Sequence, residues 1–407
     1  MAAPESSSAD LSSTWHDIRG LGFTAGAPLA RAWAWLDSGE FLPDREPLAP
    51  AQAVGRVLAS DVCAGRDWPP ADRAAIDGFA VRAADTESAG VYNPVPLVLS
   101  NAPGAGRAFP VFTGASLPPG TDAVLAFSAV SRPASGRLEV LNQAAPGEGV
   151  VASASALSSG TTALPAERPI RPQDAALLAM LGIQSVPVFV RPKVRLVIAG
   201  AKESDAEALE PMLHALVVRD GGLPAISVSA SLTDALAAAS QADVICIAGR
   251  SGAGEDDLAA PALVRAGGDV ALHGIAIRPG ASSGLGRLGG KPVILLPGEP
   301  LACLTAYDLL AGRLIRRLAG FSLELPYPRA TWPLGRKIVS AIGFTDVVPV
   351  APVGETVVPI ASAESAALAA SCRALGFVVV AENLEGHAEG ESVFVSLYDL
   401  SGRYLYC

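Results

Sequence analysis

The chain has 407 residues, half of them apolar and 17% charged, with 41 glycines and 33 prolines. That length exceeds one ordinary core and leads us to expect roughly two to four domains, while the apolar share excludes a largely disordered protein. Lys and Arg number 30 against 40 Asp and Glu, a formal net charge of -10 with no basic run, so no nucleic-acid partner is expected.

Residues 1–13 read as a loose tail without the basic and apolar regions of a signal peptide. Apolar residues at helical spacing predict helices at 29–36 and 50–58. From residue 61 onward, short β-rich pieces (GFAVRA, VPLVLS, RAFPVFTG, DAVLAF, RLEVL) alternate with Pro/Gly turns, the pattern of a small all-β module. A helix at 172–181 and the strand-like SVPVFV follow. The β module, 61–146, is therefore expected to be inserted into a split mixed α/β domain made of 14–60 and 147–190.

From 191 to 320 the strand-like KVRLVIAG, PAISVSA, ADVICIAG, GDVALHGIAI and KPVILLPG alternate with helical stretches at 207–218, 233–240, 257–265 and 301–318. This alternation predicts an α/β multidomain protein centred on a doubly wound parallel sheet, with ligands beyond the carboxyl ends of its strands. Residues 321–407 turn β-rich again (RKIVSAI, TDVVPVA, ETVVPIA, GFVVVAE, ESVFVSL) and predict a final small β domain.

Cys63, Cys246, Cys303, Cys372 and Cys407 form no CxxC and suit buried thiols in a reducing compartment. His16, His214, His273 and His387 lack ligand spacing, so no protein zinc site is expected. The charge-poor stretch 175–190 contains Gln, Ser, Gly and Pro and falls short of a membrane span, so the expected location is the cytoplasm, without a membrane partner.

Three constellations could carry chemistry. The first is Gly249-Arg250-Ser251-Gly252-Ala253-Gly254-Glu255-Asp256-Asp257, after ADVICIAG. Its glycines and the following helix N-terminus suit negative oxygens, and its acids either cap that helix or hold a divalent cation; an ordinary Gly-rich βα turn fits equally. The second is the pair of turns Arg278-Pro279-Gly280-Ala281-Ser282 and Leu296-Pro297-Gly298-Glu299-Pro300. Both are expected to follow strands of one sheet and to rim one crevice, or to be plain turns. The third is Ala74-Ala75-Ile76-Asp77-Gly78-Phe79-Ala80 with Thr113-Gly114-Ala115 downstream, where Asp77 either accepts a ligand hydrogen bond or stabilises a turn.

Taken in order, GRVLASDVCAGRDWPPADRAAIDGFAVRAADT, FTGASLPPGTDAV, AGRSGAGEDD, IAIRPG, LLPGEP and RALGFVVVAENLEGHAEGESV resemble the molybdopterin molybdenumtransferase family, the bacterial relatives of the gephyrin E domain. The resemblance implies a split mixed domain, an inserted β domain, a doubly wound molybdopterin-binding domain and a C-terminal β barrel, usually as an elongated homodimer. It also implies a Mg-dependent reaction that inserts molybdate into adenylated molybdopterin and releases AMP, with a molybdoenzyme as a further partner. Carried over by motif, Asp77, Thr113 and Asp257 fall on catalytic positions, and Gly249, Gly254, Glu255 and Asp257 on the pterin-phosphate loop, with Glu255 and Asp257 as candidate Mg ligands. Pro279, Gly280, Pro297, Gly298 and Pro300 fall on the two Pro-Gly turns, and Ser365 on a serine of the barrel.

Departures from the family pattern cluster where a doubly charged oxyanion should dock. Ile198-Ala199-Gly200-Ala201-Lys202-Glu203 replaces Ser-Thr-Gly-Asp-Glu-Leu, and Gly249-Arg250-Ser251-Gly252 replaces Gly-Gly-Val-Ser. Ala281 replaces a lysine, Glu299 an asparagine and Asp346 an arginine. Arg250, Lys202 and Arg278 are the available cations. Two readings follow: an enzyme using Arg250, Arg278 and Ser282 around the oxyanion, with Ser251 and Gly252 in the cradle, or a non-catalytic molybdopterin carrier or assembly factor of the same fold. A structural subunit without ligand is a third.

Overall fold

The computed structural model describes residues 17–23, 26–38, 40–102, 104–132, 137–199, 203–360 and 367–399. The chain divides into two compact units, Pro47–Val188 and Met1–Glu46 with Phe189–Cys407.

In the Pro47–Val188 unit, a six-stranded sheet runs in the order Ala123–Ala126, Gly78–Val81, Arg107–Val111, Val95–Leu99, Leu138–Val140, Val130–Ser131. Each of the five β-rich pieces from 61 onward contributes a strand. Gly78–Val81 is buried on both faces: Phe79 and Val81 join a cluster with Leu97, Leu125 and Leu138, and Ala80 packs with Phe109 and Val124. A separate core gathers Leu58 and Val62 from before the sheet with Leu164, Ile170, Leu178 and Val186 from after it. The helix expected at 50–58 does not form. Gly55 adopts a left-handed φ of 81°. The amides of Gly55, Leu58 and Ala59 bond across to the carbonyls of Ile170, Arg168 and Pro187 rather than along a helix. Apolar spacing there marks a buried strap, which periodicity alone cannot tell from a helix.

The other unit holds a second six-stranded sheet. Its strands are β1 (Lys193–Ala199), β2 (Leu223–Ser229), β3 (Val244–Ala248), β4 (Asp269–His273), β6 (Gly284–Leu288) and β7 (Lys291–Leu296), in the order β2-β1-β3-β7-β6-β4. The four strands from β2 to β7 are mutually parallel. β6 runs antiparallel to both neighbours, so the sheet is mixed rather than wholly parallel. Leu288 and Lys291 pair across Gly289-Gly290, both with positive φ, a two-residue hairpin that reverses the chain. Strand alternation serves two cores. Val194, Leu196, Ile198, Cys246 and Ile294 face helix Glu203–Arg219 and the closing helix; Val197, Ile245, Ile247, Val293 and Leu295 face the helices Leu232–Ala237 and Ala259–Arg265. Each such buried aliphatic side chain contributes about 2 kcal/mol. The closing helix contains a π turn, Tyr307–Ala311, between Pro300–Ala306 and Gly312–Leu318.

GDVALHGIAI is not one strand. Gly274, at φ 84°, turns the chain out of the sheet after β4, and Ile277–Arg278 (β5) pairs in parallel with Thr345–Asp346 of the C-terminal region. There the sheet order is β5, Thr345–Val353, Gly376–Val380, Ser392–Leu397, Arg329–Pro333. Thr356–Pro359 pairs with Thr345–Val353, and Leu334, just past Arg329–Pro333, bridges to Val357, which brings the sheet back on itself as a small barrel. Its interior holds Val350, Val357, Val378, Val380, Val393 and Val395. Among the described residues the expectation of buried thiols holds for Cys246 and Cys303 and not for Cys63 and Cys372, which are exposed; Cys407 lies outside the described residues. Among the described residues no helix is long and apolar enough to cross a membrane.

Helix Pro172–Met180 starts with a proline at its first position and a carboxylate in its first turn. Buried Asp174 reaches back to the amide and guanidinium of Arg171 and also pairs with Arg168, and the Arg171 hydrogen bond is the main reason its pKa falls to about 2. A depressed carboxyl pKa stabilises the fold above the unfolded-chain value near 3.9 and is lost as pH falls toward 2. Asp174→Asn should therefore cost about 2 kcal/mol at pH 7, in urea unfolding, with the gap to the parent closing between pH 5 and pH 2. A gap independent of pH would contradict this account.

Candidate functional site

β3 and β7 are adjacent and parallel, and Ala248 pairs with Leu296 at their carboxyl ends. The chain leaves β3 through Gly249, whose φ is 95° and whose amide donates to the Leu296 carbonyl, 2.9 Å. A Cβ here would lie 3.0 Å from the Ala199 carbonyl oxygen, so backbone conformation and space both call for glycine. Arg250 is also left-handed, φ 52°, and its carbonyl accepts the Ala259 amide at the start of the next helix. Asp257 folds back on the loop and accepts the Gly254 amide at 2.7 Å. A Cβ on Gly252 would come within 2.5 Å of that same carboxylate. Asp257 is thus partly committed to closing the loop, while Glu255 and Asp256 are exposed.

Both Pro-Gly turns reach this loop, although by different routes. Pro297-Gly298 continues β7, and a Cβ on Gly298 would sit 3.2 Å from the Gly249 Cα, so the two backbones are in contact. Glu299 caps the helix that Pro300 opens, accepting the amides of Leu301 and Ala302. The other turn follows β5 of the barrel sheet, not a strand of the doubly wound sheet, and begins with a cis Arg278–Pro279 bond. Its Ser283 hydroxyl donates to the Gly280 carbonyl, and the Ser282 and Ser251 hydroxyls lie 3.4 Å apart. Among the described residues, the amides of Arg250, Ser251, Gly252 and Ala253, of Gly280, Ala281 and Ser282, and of Gly298 and Glu299 have no acceptor. Backbone donors grouped in this way, with no acceptor among the described residues, have the chemistry that suits a negatively charged group.

The charges differ from the sequence expectation. Arg278 is not a free cation: its guanidinium makes two 2.6 Å bonds to both oxygens of buried Asp346, which raise its pKa further, and it stacks over Phe344 at 4.6 Å. The apolar run IAIRPG gives no hint of the partner, because Asp346 is 68 residues away. Arg250 makes no ion pair among the described residues. Lys202 and Ser365 lie outside the described residues.

His273 ends β4 and stands in no motif, so its place beside the loop has no signal in the local sequence. Its Nε2 lies 2.9 Å from the Ser251 carbonyl, its ring packs edge-on against Phe23 with centroids 5.2 Å apart, and burial pushes its pKa below the usual value.

In the other unit, Asp77 Oδ1 accepts the amide and hydroxyl of Thr113, at 2.7 and 3.0 Å. The amide bond first, then the hydroxyl, holds its carboxyl below the usual range. Gly78 follows because a Cβ would lie 2.0 Å from the Leu125 carbonyl oxygen. Asp77 and Thr113 are both exposed. Asp77 therefore stabilises a turn while keeping a second carboxylate oxygen toward solvent.

Comparison with known proteins is consistent over most of the chain. Residues 28–182 match the MoeA N-terminal region (domain I and II), 228–317 a probable molybdopterin binding domain, and 331–398 the MoeA C-terminal region (domain IV). The molybdopterin molybdenumtransferase 2 of Mycobacterium tuberculosis (strain CDC 1551 / Oshkosh) is 31% identical over 309 residues, 68% of this chain and 75% of that protein. A putative molybdopterin biosynthesis protein of Methanocaldococcus jannaschii is 30% identical over 371 residues, 85% of this chain and 90% of the relative. The crystal structure of a molybdopterin biosynthesis moeA protein from Pyrococcus horikosii aligns with a TM-score of 0.76 at 32% identity, over 92% of this chain and 99% of that one.

The Arg278–Asp346 pair links a site turn to the barrel. In a double-mutant cycle of Arg278→Ala and Asp346→Ala followed by urea unfolding, the two effects should fall short of additivity by about 1 kcal/mol. Strict additivity would mean that the guanidinium is not held by this carboxylate.

Proposed function

The chain belongs to the molybdopterin molybdenumtransferase family, and we propose that it inserts molybdate into adenylated molybdopterin and releases AMP. The observation that carries this reading is the convergence of the 249–257 loop with the 278–283 and 297–300 turns, where the amides of Arg250, Ser251, Gly252, Ala253, Gly280, Ala281, Ser282, Gly298 and Glu299 have no acceptor among the described residues. Backbone donors at strand ends suit a phosphate without needing mobile cations. In this reading Gly249, Gly252 and Gly254, with Ser251 and Ser282, cradle the pterin phosphate. Pro279, Gly280, Pro297, Gly298 and Pro300 hold the turns rigid, and Arg250 supplies the cation. Asp77, oriented by Thr113, is the carboxylate assigned to chemistry, and Asp257 keeps the loop closed.

Magnesium fits this donor set in one way. Among the described residues no three His, Cys, Asp or Glu side chains converge on a common point. Exposed Glu255 and the second oxygen of Asp257 are the one or two carboxylates that magnesium commonly takes together with substrate phosphate oxygens. Bound there, it would neutralise phosphate charge. A cytoplasmic homodimer that passes its product to a molybdoenzyme completes the proposal.

A second reading, a molybdopterin carrier or assembly factor without turnover, is favoured by one observation: Asp346 already neutralises Arg278. Incubating the chain with adenylated molybdopterin, magnesium and molybdate separates the two. Molybdate-dependent AMP release is expected, and Asp77→Asn should lower kcat on the order of 100-fold with binding changed only a few-fold. Tight binding without AMP release would establish the carrier, and absence of both sinks the proposal.

A further inference from the structure

Three carbonyl oxygens on alternate residues of the Gly-rich loop take donors from outside it. The Ser251 carbonyl faces His273 Nε2 at 2.9 Å, the Ala253 carbonyl accepts the Gly20 amide at 2.8 Å, and the Glu255 carbonyl accepts the Arg19 guanidinium at 3.4 Å. A carbonyl can only accept, so Nε2 carries the proton. In the neutral ring Nδ1 is then the lone-pair nitrogen; it is buried and has no partner among the described residues. The ring is held by Phe23, whose edge lies so close to Gly274 that a Cβ there would come within 2.4 Å of it. Arg19 is in turn fixed by a two-pronged pair with Asp17.

Because the peptide unit is planar and trans, the carbonyl of one residue and the amide of the next point in opposite directions. Locking the Ser251 carbonyl onto His273 therefore turns the Gly252 amide away from His273. The same geometry at Ala253 sends the Gly254 amide to Asp257, which is where it is found, and at Glu255 it frees the Asp256 amide. Gly252 and Asp256 are left as donors without an acceptor among the described residues.

We infer that His273 and the segment 17–23 form a back-side clamp that pre-organises the amide cradle, with His273 as a positioning residue for phosphate binding. The ligand rests on the function proposed above, whereas the clamp itself does not. An aligned cradle has no ordering cost to meet when the anion arrives, so loss of the clamp weakens binding rather than turnover.

The test compares His273→Phe, which keeps the packing against Phe23 but loses the donor, with His273→Gln, whose amide can donate to the same carbonyl. Two quantities are read in the full-length chain: hydrogen–deuterium exchange of peptides covering 249–257, and the Kd for molybdopterin with kcat for AMP release. In H273F loop exchange should accelerate and Kd should rise about tenfold, the worth of one hydrogen bond, with kcat within twofold; H273Q should recover most of both. If loop exchange is unchanged in H273F, or if H273Q behaves no better than H273F, the clamp is wrong. Should the parent chain not bind molybdopterin, the proposed function fails instead, and the exchange comparison still decides the clamp.

Discussion

Parallel pairing of Val244–Ala248 with Lys291–Leu296 is the constraint on which the rest of the site depends. Because the register sets Ala248 beside Leu296, the chain leaves both strands at the same level, and the Gly249 and Gly298 backbones come within van der Waals contact. A Cβ on Gly298 would crowd the Gly249 Cα at 3.2 Å, so a side chain there would push the two bends apart. Two apolar cores grip this strand pair from opposite faces, so the strand ends can be rigid while the bends beyond them stay free of side-chain bulk. An amide held by a rigid scaffold and lacking an internal acceptor binds an anion more tightly than one that must first be ordered.

Charge is handled differently from what a count of arginines and acids would imply. Asp346 takes up the Arg278 guanidinium, Glu299 is spent on capping a helix, and Asp257 turns back on its own loop. Each of these groups is satisfied within the protein, as partly buried ions must be if they are not to carry a large desolvation cost. What remains for a ligand is mainly oriented backbone dipole. That suits the phosphate ester of the proposed function and is compatible with an acidic chain.

The β unit carries its conspicuous acid in a similar economy. Asp77 orders the start of its strand through Thr113, and its other oxygen has no hydrogen-bond partner among the described residues. A structural hydrogen bond and an available carboxylate are compatible in one side chain because a carboxylate accepts several bonds at once.

Much of the architecture was legible in the amino-acid order. The β-rich pieces between Asp61 and Gly147, the strand–helix alternation after Pro192 and the valine-rich run near the C-terminus each became the element that their periodicity implied, because burial on one or both faces of a strand writes itself into local spacing. The Gly289-Gly290 hairpin is also a local signal, and with it the reversed strand that makes the sheet mixed. Tertiary structure alone decided which partner each piece found. Residues 50–58 have a helical rhythm yet form a strap, since Gly55 is left-handed and the amides bond to distant carbonyls. IAIRPG has a strand's rhythm yet pairs in the barrel, where Asp346 waits for Arg278. His273 carries no local signal, and its role depends on a carbonyl 22 residues away. Local spacing reports how deeply a residue is buried, whereas pairing and charge neutralisation depend on groups far apart in sequence, and only the folded chain brings those together.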